Sequence, residues 1–321
     1  MKDVMFSMHE DIARNILFVD GIPSAGKGVI TDIVHSLDNM EKINIFLLFE
    51  WLIPGLSLGT LDVGYAKAVL RIALNELAYN NMIGRNSNFR YTDHTGIHNY
   101  KDPLTYYKRL LNEEGDTVVE ELKKSNSFLP FRTHDLLVNL EYLDKLEINY
   151  LMIEVFRHPV DIVHSIVERG WGERFGVDPR AFTLTIEHKG QNVPWYVAGY
   201  EEQWLNLNSA DRCLKVVLDL IARSINQTKK RLNKNNILFI KYEDFVENTD
   251  DNINKICSFL KTEPTIYTPH FKRLAGCPRV LDQEERNRKA KEIRLAVNDD
   301  LYGNLMEKSK DYENNCFGIS E

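Results

Sequence analysis

At 321 residues, 43% apolar and 27% charged, the chain is long enough to bury a large core in one big α/β domain or two modest ones. A net charge of -7 offers no long-range attraction to nucleic acid, so an anionic ligand has to be held by a local basic pocket. No apolar run approaches the roughly 18 residues of a membrane helix, MKDVMFSMHEDIARN lacks the apolar core of a secretion signal, and Cys213, Cys257, Cys277 and Cys316 form no C-x-x-C pair. The expectation is a cytoplasmic protein with reduced thiols, no membrane insertion and no nucleic-acid partner.

The first strand-like run is ILFVD (16 to 20), followed by the turn GIPSAGKG and the helical pattern GKGVITDIVHSL. INIFLLFEW (43 to 51) reads as a second strand and YAKAVLRIALNELAYNNMI as a long helix. SFLPFRTH (127 to 134) and NYLMIEVFR (149 to 157) read as further strands, and PVDIVHSIVERG as a helix. From about 170 to 204 the rhythm breaks: Trp171, Phe175, Phe182, Trp195, Tyr196 and Trp204 stand among five glycines, an irregular aromatic-rich excursion before a long helix near Tyr200 to Asn233. NILFIKYED (236 to 244) and DNINKICSFLK supply a last strand and helix. Near-continuous apolar strands alternating with helices predict one doubly wound α/β domain over 1–321, with a central parallel sheet, helices on both faces and ligands at the strands' carboxyl ends, and the glycine-bounded lysine loop after the first strand makes the expected fold P-loop NTPase-like.

The spacing G-x-x-x-x-G-K runs from Gly21 to Lys27. A strand before it and a helix after it deliver backbone N–H groups and a helix N-terminus to one point, with Lys27 as a mobile positive charge. Gly21, Pro23, Ser24, Ala25, Gly26, Lys27, Gly28 and Val29 are therefore the candidate anion cradle. An ATP-using kinase places a Mg²⁺-binding hydroxyl beside the lysine, and Gly28 and Val29 provide none. Glu50 and Asp20 are candidates for a metal-binding acid, each equally able to cap a helix or pair with a neighbour. His94 and His98 are four residues apart beside Asp93, but Thr95 and Gly96 argue against a helix that would bring them to one metal, so contact with an acceptor is the preferred reading.

Downstream, FRHPVDIVHS places Arg157 at a strand end and Ser165 eight residues later; an arginine fork and a serine hydroxyl suit a dianionic phosphate. This segment resembles the 3'-phosphate-binding stretch of the sulfotransferases that use 3'-phosphoadenosine-5'-phosphosulfate (PAPS). PFRTHDLL is similar to that family's Lys-Thr-His segment, with Arg132 in place of the lysine, and FIKYEDF to a shared strand end where Tyr242, Glu243 and Asp244 read as structural. The resemblance implies that the loop binds the 5'-phosphosulfate, that Arg157 and Ser165 bind the 3'-phosphate, that His134 is the base, and that Lys27 and Arg132 are catalytic cations. It implies no obligatory metal, PAP as product, and a small-molecule or glycan acceptor bearing a hydroxyl or amine.

The sequence departs from the family where its lysine stands three places late, both loop threonines are missing and the adenine-stacking tryptophan is absent. The C-terminal Arg-Lys-Gly signature is missing too, although residues 272–294 hold eight basic residues against four acidic ones, Arg286 and Arg288 among them. These could meet the 3'-phosphate or form a solvated helix face. Two rivals stay open from the residues alone: a P-loop kinase of a nucleotide or small molecule using ATP and Mg²⁺, and a catalytically silent sulfotransferase-like binding module.

Overall fold

The computed structural model describes residues 6–7, 10–230 and 235–318. Among the described residues six strands form, β1 (Ile16–Asp20), β2 (Leu129–Arg132), β3 (Tyr150–Phe156), β4 (Thr185–His188), β5 (Gln191–Pro194) and β6 (Ile237–Lys241). Four of them make a parallel sheet in the order β2-β1-β3-β6, flanked by helices, while β4 and β5 pair as a separate antiparallel hairpin. The apolar run of β1 is buried along its whole length, as a strand covered on both faces requires. This is the α/β architecture with a central parallel sheet that the alternation of strands and helices predicts.

From β1 the chain proceeds to β2 on one side, and from β3 to β6 on the other. The crevice between the carboxyl ends of β1 and β3 is therefore the topological switch point, where ligands of open α/β sheets bind. Register fixes what surrounds it. Val19 stands opposite Arg132 and Ile153, and Asp20 opposite Glu154, so β1, β2 and β3 end together and hand over to the loop from Gly21, to Thr133–His134 and to Arg157.

The expected strand at 43 to 51 is overturned. Asn44 makes one parallel bridge to Phe131, and the chain then turns into the helix Leu48–Ser57. Phe49, Leu52, Ile53 and Leu56 carry helical spacing, and all four bury one face against the core, with Phe49 edge-on to Phe18 and Phe131. A short apolar run hides this period. The long helix near Tyr200 is also divided: Glu201–Leu205 ends, and Ser209–Lys229 starts anew, because Asn208 caps it by accepting from the Asp211 amide at 2.8 Å. Residues 231–233 of the expected helix lie outside those described. Tyr242, Glu243 and Asp244 open the helix Tyr242–Glu247 instead of ending a strand. Among the described residues no helix is long and apolar enough to cross a membrane.

Candidate active site

The loop leaving β1 is held in shape by backbone that few residues adopt. Gly21, Ser24 and Gly26 have φ of 147°, 65° and 93°. At Gly26 a Cβ would overlap the Tyr242 ring, so both the left-handed conformation and the close approach require glycine. The helix Lys27–Val34 follows directly, aiming its first amides at the loop mouth. Lys27 is 5% exposed, and its Nζ donates to the carbonyls of Gly21 and of Ile22 (2.9 Å). Asp20, Asp135, Glu154 and Glu50 surround it. Burial holds the ammonium below its usual pKa against their attraction, and raises those of Asp20, Asp135 (to about 8) and Glu154. Asp20 accepts from Thr133 Oγ1 (2.8 Å) and from the amide of Leu137 (3.1 Å), the first residue of the short helix Leu137–Asn139, which ties β1 to the exit of β2. Arg132 reaches across the start of the helix, its Nη1 3.8 Å from the point a Cβ on Gly28 would take.

His134 leaves β2 beside this loop. Glu50, on the helix that replaces the expected strand, accepts at Oε1 from the His134 amide (3.0 Å) and lies 3.0 Å from His134 Nδ1. In the neutral imidazole, a proton on Nδ1 facing the Glu50 carboxylate is the tautomer that leaves the lone pair on Nε2. A cavity of about 130 Å³ opens over the pair, walled by Pro23 and Asp135 on the sheet side and by Trp171, Phe182, Trp195 and Tyr196 of the excursion on the other. Trp51 Nε1 donates to the Phe182 carbonyl at 3.0 Å and joins the excursion to the helix carrying Glu50. In the aromatic segment Phe175 and Trp204 are core, Trp195 and Tyr196 are buried in the core and also wall the cavity, and Trp171 and Phe182 wall it.

Arg157 leaves β3 beside Ser24, donating to its carbonyl at 2.9 Å, and lies 4.7 Å over the Tyr242 ring. Its Nε is buried without a partner among the described residues. Tyr242 is held from the far side by Arg279, which donates to its hydroxyl. Ser165 is half-buried on the helix Pro159–Glu168. Asp161, on that helix, binds Arg286 (3.0 Å) and Lys289 (2.9 Å), and with Arg157 these cations hold its carboxyl below the usual range. Arg286 therefore joins Arg157. Arg288 does not: it is 62% exposed and pairs with Glu292 along its own helix, as a solvated face would. Glu243 accepts from the His158 amide (3.0 Å) and from Tyr312, fastening the C-terminal helix Asp299–Asn315 to the end of β3.

His94 and His98 stand apart from this site. His94 Nδ1 is 3.8 Å from Asp32, His98 Nε2 is 2.8 Å from the Tyr91 carbonyl, and both line a different cavity from that of His134. No group of three metal-binding side chains occurs among the described residues. Glu50, here the partner of His134, is open in the sequence between metal ligand, helix cap and pairing with a neighbour, and Arg279 is there only one of the eight basic residues of 272–294; Asp161 carries no signal in the sequence.

A family model described as the sulfotransferase domain matches residues 67–292. No curated protein shows significant similarity in sequence. Among solved structures, the sulfotransferase domain of the Synechococcus PCC 7002 olefin synthase is similar at 12% identity, covering 96% of this chain and 98% of its own, with a TM-score of 0.46. The sulfotransferase domain from the curacin biosynthetic pathway matches at 12% identity, covering 88% and 98%, TM-score 0.43. A sulfotransferase from Mycobacterium avium matches at 14% identity, covering 90% and 78%, TM-score 0.40.

Proposed function

The chain belongs to the sulfotransferase domain family, and we propose that it moves a sulfuryl group from PAPS to a hydroxyl or amine of a small-molecule or glycan acceptor. The observation that carries this reading is His134 held by Glu50 at the floor of a cavity that opens beside the loop from Gly21 to Gly28. The side chains present fit the donor. Arg157 keeps an unpartnered buried Nε beside Ser24, and Gly28 leaves open the space that Arg132 overlooks. Arg157, Ser165 and Arg286 would hold the 3'-phosphate, while the loop amides, Lys27 and Arg132 would hold the phosphosulfate.

PAPS supplies a sulfuryl group on a 5'-phosphate leaving group. The acceptor oxygen or nitrogen forms its bond to sulfur as the sulfur–oxygen bond to that phosphate breaks, and His134 Nε2 takes the acceptor's proton. A positioned histidine contributes roughly 10²- to 10⁴-fold to such a step. Negative charge grows on the departing phosphate, where a preorganised cation is worth several powers of ten in a water-poor site. Lys27 serves there once it exchanges the carbonyls of Gly21 and Ile22 for the phosphate. Glu50 keeps the imidazole in the tautomer that can accept a proton.

The test is a pair of measurements. Adenosine 3',5'-bisphosphate should raise the melting temperature much more than ATP with Mg²⁺, and His134→Ala should abolish the gain of one sulfuryl mass on acceptors screened with PAPS. A larger shift with ATP and Mg²⁺ supports a kinase instead, and donor binding without any transfer supports a silent module.

A further inference from the structure

The chamber over His134 has a rim whose conformation capping alone does not call for. Phe182 lines the chamber and closes the short helix Pro179–Ala181 in the left-handed region, with φ 51° and ψ 19°. Glycine or asparagine ends a helix this way without strain, whereas a bulky side chain is an outlier there. Such a residue persists only where its surroundings over-determine it. On one side Asp178 accepts from the Arg180 amide (2.9 Å) and pairs with Arg174 (2.7 Å) and Arg180 (3.0 Å), which sets the turn. On the other the Trp195 amide donates to the Leu184 carbonyl (3.0 Å), and between them Trp51 Nε1 donates to the Phe182 carbonyl (3.0 Å). Trp51 adjoins Glu50 on the helix Leu48–Ser57, so one element holds both this rim and the partner of His134.

The fold gains little from the side chain so held. Phe182 is 63% exposed and stands outside the hydrophobic core. An exposed phenylalanine is ordinary by itself; one kept in strained backbone on the edge of an apolar chamber buries its ring only when something apolar covers it. The chamber says what that is. Leu47, Ile53, Leu136 and Leu184 line it with the aromatic residues, no lysine or arginine does, and its titratable groups are His134, Glu50 and Asp135. The reacting group of a ligand meets these three, and the rest of it meets apolar surface. A cavity of roughly 150 Å³ takes up one benzene, so about 130 Å³ admits a single ring and leaves anything longer against the rim.

We propose that Phe182 is a specificity-determining residue, covering an apolar part of the acceptor that extends beyond the chamber while the reacting hydroxyl or amine lies at His134. The inference rests on the sulfotransferase reading and narrows its acceptor to an alcohol or amine with an extended apolar group.

Saturation-transfer NMR on the full chain tests it with two probes, cyclohexanol, which the chamber can hold whole, and 4-cyclohexylcyclohexanol, whose second ring must reach the rim. Phe182→Gly relieves the backbone and removes the ring, and Phe182→Tyr keeps the ring. The wild type should bind the longer alcohol more tightly than the shorter. Phe182→Gly should weaken the longer one about tenfold, leave cyclohexanol unchanged and melt no lower, and Phe182→Tyr should restore the wild-type affinity. An unchanged affinity for the longer alcohol in Phe182→Gly overturns the proposal, as does a wild type that binds neither alcohol or does not favour the longer one. A glycine variant that melts lower with both affinities unchanged shows a structural role only and overturns it too. The melting shift with adenosine 3',5'-bisphosphate, recorded on the same samples, separates the two readings. A normal shift without the Phe182 effect sinks the rim alone, and a Phe182 effect without that shift sinks the sulfotransferase assignment of the chamber.

Discussion

Replacing Glu50 by Gln keeps an oxygen where His134 needs an acceptor and removes only the charge, whereas Glu50→Ala removes the acceptor as well. In the native protein one oxygen serves both the His134 amide and Nδ1, each at 3.0 Å. A hydrogen bond to a charged group is worth about 1.5–3 kcal/mol and a neutral one about 0.5–1.5 kcal/mol. The Gln variant therefore loses about 1–1.5 kcal/mol of orientation and proton-accepting support, roughly tenfold in rate. The Ala variant frees the imidazole and strands a half-buried amide, which adds up to about 3 kcal/mol, or upwards of a hundredfold. Glu50 touches neither Arg157 nor the loop amides, and taking its negative charge away from Lys27 should if anything tighten the hold on an anion, so donor binding should not weaken. The assay is initial-rate sulfuryl transfer at saturating PAPS, with the melting shift caused by adenosine 3',5'-bisphosphate measured beside it. A kcat within twofold of wild type in Glu50→Ala, with that melting shift intact, would refute the positioning role.

Arg157→Lys loses the fork that meets a phosphate and the face that stacks on Tyr242, so affinity for adenosine 3',5'-bisphosphate should fall about tenfold to a hundredfold by calorimetry; an unchanged affinity would remove Arg157 from the phosphate site. Gly26→Ala should destabilise the fold by about 3 kcal/mol in urea, summing left-handed backbone strain and overlap with Tyr242, and the double change with Tyr242→Ala should recover the overlap share only. Burial lowers the His35 pKa to about 4, so the unfolded chain binds a proton that the folded one refuses as pH falls from about 6.5 to 4. Stability should drop by about 2 kcal/mol from this group between pH 7 and 5, and the difference between wild type and His35→Leu should track that fall; parallel pH profiles would contradict it. Asp135 behaves oppositely. With its pKa raised to about 8 by burial, it costs stability increasingly as pH rises from about 4 to 8, so Asp135→Asn should raise the melting temperature more at pH 8 than at pH 5. Asn also suits the left-handed backbone there, with φ 61°.

The separation between what could be read in the chain and what could not follows the range of the interactions. ILFVD, the glycines of the loop and the helix after Lys27 are local facts: a buried strand needs a continuous apolar run, and left-handed turns need glycine. The spacing of Arg157 and Ser165 along the chain is equally local, since one strand end and the first turns of the next helix fix it. The run at 43 to 51 misleads because strand and helix both accept a short apolar segment. Packing of Phe49 on Phe18 and Phe131 decides between them, and those partners come from strands 31 and 82 residues away in the chain.

The same decision makes the candidate site. The sequence by itself determined a parallel α/β sheet, a glycine-bounded loop ending in Lys27 after its first strand, and the places of His134, Arg132 and Arg157 at the ends of the neighbouring strands. Only the tertiary structure decided that Glu50 would hold His134, that Lys27 would turn back onto its own loop among four carboxylates, and that Arg288 would stay in solvent while Arg286 joined Asp161. Helix caps are set within a few residues, whereas strand register in a parallel sheet and the pairing of a carboxylate with a histidine 84 positions away are settled only when distant segments pack together.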